Sequence, residues 1–417
     1  MDHSSLDNQP SRKQDKPLMK VIRRECSRML SRPIYLIVTL IMPLFCYVFF
    51  ASMMSEGMPK ELPVAVVDMD NSNLSRTFTR NLDASPQTRV VAHLTSFHEG
   101  KSAMQKGDIL GFIVLPSNLQ IDAMSGKQPQ IVFYTNNSYL ITGSLLMRDF
   151  STITALSSAA VNVGIRTQKG EPMQTIMANV QPIALDFHAL GNPWTNYSMY
   201  LSTILSHGLV QILILLITVF IVGHEIKHGT ICDWLAAANG SFFTALIGKL
   251  LPYTILFSLV TVFGNTLFFK YLHFTYEGNF FAILVAVILL VIAYQSMALF
   301  ILSLLFDFRV ALTIAGVYGV LGISLSGLTF PIEIMDAPLQ GFSYLFPIRH
   351  YFHIYVDLAI RGLPVVQTLP YFATLLVFLI FPLALYHRLK RFVLTSECIV
   401  KPDNVEDLVH HHTSSIS

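Results

Sequence analysis

FFAILVAVILLVIAYQSMALFILSLLF, residues 280–306, carries no charged side chain and few polar ones beyond Tyr294 and Gln295. A bilayer core takes about 20 consecutive apolar residues in a helix, so this run is long enough to cross one. Five more stretches read the same way: Ile34–Met54, Met199–Val222, Leu250–Phe269, Val310–Phe330 and Leu369–Tyr386. Pro43 and Pro382 fall inside the first and the last. Membrane helices tolerate proline where neighbouring groups satisfy the freed backbone. Any one of these runs could be a buried helix of a soluble protein; six together could not. The expected fold is a polytopic α-helical membrane protein with six transmembrane helices.

Composition agrees. Of 417 residues, 53% are apolar and 13% charged, against about 25% charged in a soluble domain. Disorder, a coiled coil and an ordinary cytosolic enzyme are excluded. The net charge of +2 gives no case for nucleic acid as a partner. Four cysteines (Cys26, Cys46, Cys232 and Cys398) are too few and too scattered for a disulfide scaffold or a CxxC metal site.

Lysine and arginine set the orientation. Arg12, Lys13, Lys16, Lys20, Arg23, Arg24, Arg28 and Arg32 precede the first run, and Arg388, Lys390 and Arg391 follow the last. Arg309 lies in the short stretch between runs four and five, whereas the short loops on the other side hold only Lys270, or Arg349 and Arg361. Positive charge stays inside, so both termini are expected in the cytosol. No small-residue cleavage site follows the first run, which reads as an uncleaved signal anchor. Within the cytosolic segment 1–33, Leu18, Ile22, Cys26 and Met29 share a helical face. A basic amphipathic helix there would lie among lipid headgroups, and the same charges also serve as a positive-inside flank.

The interval 55–197 is too long to count in that rule and reads as an inserted extracytoplasmic α/β domain between helices 1 and 2. LPVAVVDM (62–69) is a valine-rich strand closed by Asp70-Asn71. Leu74, Phe78 and Leu82 are spaced four apart, with Ser72 as N-cap. Further strands are expected at Arg89–Leu94, Ile109–Leu115 and Gln130–Tyr134, a short helix at Phe97–Lys106 ending on Gly107, and a long helix from Ser138 to about Arg166.

Three motifs suggest chemistry. His224-Glu225-Ile226-Lys227-His228 matches H-E-x-x-H, which on a helix could hold zinc with a glutamate base. Lys227 beside the metal, the immediate Gly229-Thr230, and the lack of a third ligand better than Asp233 or Asp307 weigh against it. Gly100-Lys101-Ser102 resembles the end of a phosphate loop, but Thr95 stands where its first glycine is needed. His410-His411-His412 lies in a polar tail. No other pattern suggests a nucleophile or a resident cofactor.

GHEIKHGTICDWLAAANGSFFTALIGKLLPY (223–253) resembles the cytosolic segment of ABC-2 type transporter permeases, with Glu225, Gly229-Thr230, Gly248-Lys249 and Leu251-Pro252-Tyr253 in order and spacing. SGLTFP (326–331), continued by Pro338-Leu339-Gln340 and SYLFP (343–347), is similar to the family's stretch between its last two spans. Leu62–Leu82 resembles the start of the large outer domain in the bacterial drug-exporter branch. The two histidines about Glu225 depart from the family pattern.

The resemblance implies the permease subunit of an exporter in the bacterial inner membrane, not itself an enzyme. It also implies a separate ABC ATP-binding subunit, and a second permease copy or a paralogous permease. The implied layout is TM1 at 34–54, TM2 at 198–222, a cytosolic coupling loop at 223–248, TM3 to TM5 within 249–330, a re-entrant outer segment at 331–366, TM6 at 367–387 and a cytosolic tail at 388–417. The chain shows no phosphate loop of its own, so force must enter through the coupling loop. There Glu225, Gly229, Thr230, Ile231, Trp234 and Leu235 are the candidates, with Ile231, Trp234, Leu235 and Ala238 on a face that could fill a groove in the ATPase or lie on lipid. Pro331, Glu333 and Pro347 are candidates for an outer gate. Gly316, Gly319, Gly322 and Ser326 offer close packing, either to a second copy or within the chain. Cargo is expected to be small and lipophilic, and the outer domain to receive a periplasmic adaptor. The alternatives are a zinc metalloprotease using His224, Glu225 and His228, and a sensor or assembly factor.

Overall fold

The computed structural model describes residues 16–138, 140–180, 191–192, 196–305 and 307–395. Arg12, Lys13, Cys398 and the His410–His412 run lie outside them. The chain divides into two compact units, one formed by the residues before 56 and after 188, the other by Glu56–His188.

The first unit opens with α1 (Pro17–Ser31) and α2 (Pro33–Met53). Pro33 starts a new helix after the extended Arg32. Within α2, Ile37–Ile41 widens into a π-turn just ahead of Pro43. Proline has no N–H to offer the carbonyl four residues back, and a wide turn absorbs the mismatch.

The inserted unit is a four-stranded sheet in the order β2-β1-β3-β4. Its strands are β1 (Leu62–Asp68), β2 (Thr88–Leu94), β3 (Gly111–Leu115) and β4 (Val132–Thr135). β1 pairs parallel with β2 and β3, and β4 pairs antiparallel with β3. Its helices are α3 (Asn73–Asp83), α4 (Phe97–Lys106), α5 (Leu119–Met124), α6 (Leu140–Gln168) and α7 (Met173–Val180). Ser72 caps α3 by accepting from the Ser75 amide, and Gly107, at φ +85°, ends α4. Alternate residues of β1 feed two cores. Val64 and Val66 pack with Phe78, Leu82, Leu146 and Phe150, whereas Ala65 and Val67 pack with Ile109 and Phe112. Helices therefore cover both faces, which explains the near-continuous burial of β1. α5 and α7 were not expected from the sequence; α5 is a single short amphipathic piece whose buried residue is Leu119.

The first unit resumes with α8 (Tyr197–Lys227), α9 (Ile231–Ala237), α10 (Phe242–Lys270), α11 (Phe280–Leu305) and α12 (Phe308–Ser324). Then come a 3-10 turn at Ile332–Ile334, α13 (Ala337–Ser343), α14 (Pro347–Tyr355), α15 (Val365–Ala384, with a turn at Phe378) and α16 (Tyr386–Thr395). α8 and α11 are central, and each is about two-thirds buried over its most apolar stretch.

Among the described residues, five helices are long and apolar enough to cross a membrane: α2, α8, α10, α11 and α15. The expected run Val310–Phe330 is shorter than its hydropathy suggests. It is helical only as α12, of 17 residues, about 26 Å at 1.5 Å per residue. Gly327 takes a φ of +86° and the Ser326 hydroxyl accepts from the Leu328 amide, so the chain turns out of the helix there. The expected cytosolic loop 223–248 also contracts. α8 runs on to Lys227 and α10 begins at Phe242, which leaves α9 between two tight turns.

Candidate functional site

α1 lies along the first turns of α10 because of a missing side chain. A Cβ on Gly248 would stand 2.8 Å from Cβ of Val21, so only glycine lets α1 sit this close. That contact carries Arg24, Glu25 and Arg28 over the end of α8 and the start of α10. Glu225 and Lys249 wait there, both fully buried.

The result is a five-membered ion cluster. Arg24 donates to both oxygens of Glu225, at 2.9 and 3.1 Å. Arg28 donates to the same carboxylate, and so does the Thr230 hydroxyl. Lys249 Nζ bridges Glu225 and Glu25 at 2.7 Å each. Glu25 lies 3.6 Å from Arg28 and is fully buried, with its Oε2 unpaired. Three cations thus face two carboxylates. Such burial is tolerated only where opposite charges and hydrogen bonds compensate it.

The short helix α9 closes the cluster from beneath. Gly229, at φ +64°, turns the backbone out of α8, and the Thr230 amide donates to the Glu225 carbonyl at 3.2 Å. The Trp234 ring lies 5.2 Å from Lys249 Nζ, and its Nε1 donates to the Ala245 carbonyl at 3.1 Å. Ile231 and Trp234 are fully buried, and Leu235 and Ala238 nearly so. The face of Ile231, Trp234 and Leu235, expected either to fill a groove in the ATPase or to lie on lipid, packs inside this chain. The exposed edge is Lys227, His228, Gly229, Cys232, Asp233, Ala236 and Asn239.

The geometry lends nothing to a zinc site. Arg32 lies 3.0 Å from His224 Nε2, Glu225 is held by four partners, and the two imidazoles stack at 3.9 Å. Asp307 caps α12, accepting from the Arg309 and Val310 amides, and Asp233 is exposed.

The small residues of α12 face α8 and α14. A Cβ on Gly319 would stand 2.7 Å from Ile212, and one on Gly322 would stand 3.2 Å from Phe346; Gly316 has Leu216 at 3.8 Å. Ser326 bonds back to the Ile323 carbonyl at 2.8 Å. Of the outer residues, Pro331 and Glu333 are exposed at the 3-10 turn, whereas Pro347 is buried on the first turn of α14.

The sequence reading missed Arg24, Glu25 and Arg28. The signal was available: Glu25 is the one acid in an otherwise basic helix. It also missed a second polar cluster among the apolar helices. His207 bonds the Thr203 carbonyl at 2.9 Å and Tyr351 at 3.1 Å, and Asn265 donates to Tyr351 at 3.0 Å. One turn along, Gln211 donates to the Gly319 carbonyl at 2.8 Å and accepts from Tyr294. These bonds pin α8, α10, α11, α12 and α14 in one register.

The first unit is thus an apolar helical bundle with a buried ionic cluster where α8 ends and α10 begins. The model of the ABC-2 family transporter protein matches residues 33–386, and the chain belongs to that family. Over 118 residues it is 27% identical to the linearmycin resistance permease protein LnrN of Bacillus subtilis (strain 168), covering 28% of this chain and 30% of that protein. The matched segment therefore spans under a third of that relative. No solved structure matches the chain.

Proposed function

We propose that this chain is the translocation subunit of an exporter driven by a separate ATP-hydrolysing subunit, and that the ion cluster around Glu225 is the joint through which the push is passed on. The observation that carries the reading is that α1, α8, α9 and α10 meet at one buried set of charges. A force applied to α9 cannot be absorbed by a loose loop, since Thr230 and Trp234 tie it to Glu225 and to α10. The partner's contact is then the exposed edge at Lys227, Asp233, Ala236 and Asn239, not the buried apolar face.

In this reading α12 completes a sixth span, both termini are cytosolic, and the inserted unit stands outside the bacterial inner membrane, where it receives a periplasmic adaptor. The segment 331–366 with Pro331, Glu333 and Pro347 gates the outer end. Two permease chains pair, alike or paralogous, and α1 rests on lipid headgroups. The cargo is small and lipophilic; a relative named for resistance to linearmycin supports a drug-like compound.

The test is co-purification with an ABC ATP-binding subunit co-expressed from the same organism, with hydrolysis measured in nanodiscs. Asp233→Lys and Ala236→Trp should abolish capture of the ATPase while the chain melts as the parent does. Glu225→Ala should keep capture but lose most of the stimulated hydrolysis. If both edge variants bind and stimulate normally, the docking assignment is wrong.

A further inference from the structure

We propose that the inserted unit carries a binding site for a small, neutral amphipathic molecule, in a cavity of about 360 Å³ between α3, α5 and α6. The site is independent of the transport reading and stands whether or not the chain exports anything.

The cavity follows from a change of residue size along α6. Leu146, Phe150 and Ile153 fill the core against the sheet. The next turns of the helix present Thr154, Ser157 and Val161 to the cavity. These short side chains stop before they reach Phe78, Leu119 and Ile131, which form the apolar floor. The cavity is a cleft partly open to solvent, and longer side chains at Ser157 and Val161 would fill it, so its depth is made by residue choice. Its volume falls within the range of small-molecule sites, roughly 300–1,000 Å³.

The lip is shaped by backbone. Gly126 takes a φ of +80°, which places the turn after α5 in a conformation that side-chain-bearing residues avoid. Pro129 fixes the strand-like approach to β4. Lys127, at the lip, is paired with Asp122 at 2.9 Å, so the rim charge is internally matched and a neutral occupant fits best.

The wall has two characters. Leu74, Phe78, Leu119 and Ile131 are apolar, whereas Gln128, Ser157 and Asn162 offer hydrogen-bonding groups. The occupant is therefore a compact amphipathic body, with an apolar side toward α3 and α5 and a polar group toward α6 and the lip.

The test uses the full chain in nanodiscs with Cys26, Cys46, Cys232 and Cys398 replaced by serine. A trifluoromethyl label is attached at Gln128→Cys on the lip or, as a control, at Lys101→Cys on α4, which packs on the other face of the sheet. The probe is 2-naphthol, followed by fluorine NMR. The expected result is a saturable shift at the lip label, none at the control label, and loss of the shift in Ser157→Phe and in Ala123→Leu. An absent or unsaturable shift overturns the proposal. So does an equal shift at both labels, or one that survives both filling substitutions in folded protein.

Discussion

At the scale of single residues, the charge at 225 is the one on which most depends. Its carboxylate meets Arg24, Arg28, Lys249 and Thr230. Removing one partner of a buried pair costs about 3–5 kcal/mol, because the remaining charges stay buried. Glu225→Gln should therefore lower the melting temperature of the purified chain markedly. Lys249→Met added to it should cost less than the sum of the two single changes, by about 0.5–3 kcal/mol. Additive losses in that double-mutant cycle would mean the two groups are not coupled. The glycine before Lys249 makes a separate prediction. Gly248→Leu drives a side chain into Val21, and overpacking costs about 1–3 kcal/mol. Trypsin should then cut within α1, at arginines that are protected in the parent.

Among the elements, α9 shows how a short amphipathic segment can mislead. Its spacing correctly put Ile231, Trp234, Leu235 and Ala238 on one side. Spacing does not say what covers a face, and the cover here is α10, which supplies Ala245 and Phe242. Trp234→Ala should destabilise the chain by about 3–5 kcal/mol, a cost read as loss of folded protein in detergent. A partner-docking tryptophan would leave the isolated chain as stable as before. The small-residue side of α12 poses the same question. Gly319 has Ile212 against it within this chain, so Gly319→Leu should destabilise a lone copy even at dilutions where no dimer persists. The end of α12 at Ser324 was not legible in hydropathy, because Leu325, Leu328 and Phe330 are as apolar as the helix before them. What ends the helix is local backbone geometry at Ser326 and Gly327.

For the whole molecule, orientation is the testable property. In the cysteine-free chain, Lys127→Cys should react with a membrane-impermeant maleimide in intact cells stripped of their outer membrane. Asp233→Cys should react only after permeabilisation. The opposite pattern would invert the assignment of the inserted unit and of the coupling edge together.

The sequence by itself determined the apolar helices, the place of the insertion and its alternation of strands and helices. Each is written in local periodicity and in runs of side chains that cannot face water. It also marked Glu225, Thr230 and Lys249 as residues of one segment. Only the tertiary structure decided that these residues close on Arg24, Glu25 and Arg28, some two hundred positions away. Only it decided that the apolar side of α9 faces inward and that the wall of α6 beyond Ile153 borders a cleft. The physical reason is the same in each case. Chain-local patterns fix which face of an element shuns water, whereas the identity of what meets that face depends on how distant elements pack, and one glycine opposite one valine is enough to settle it.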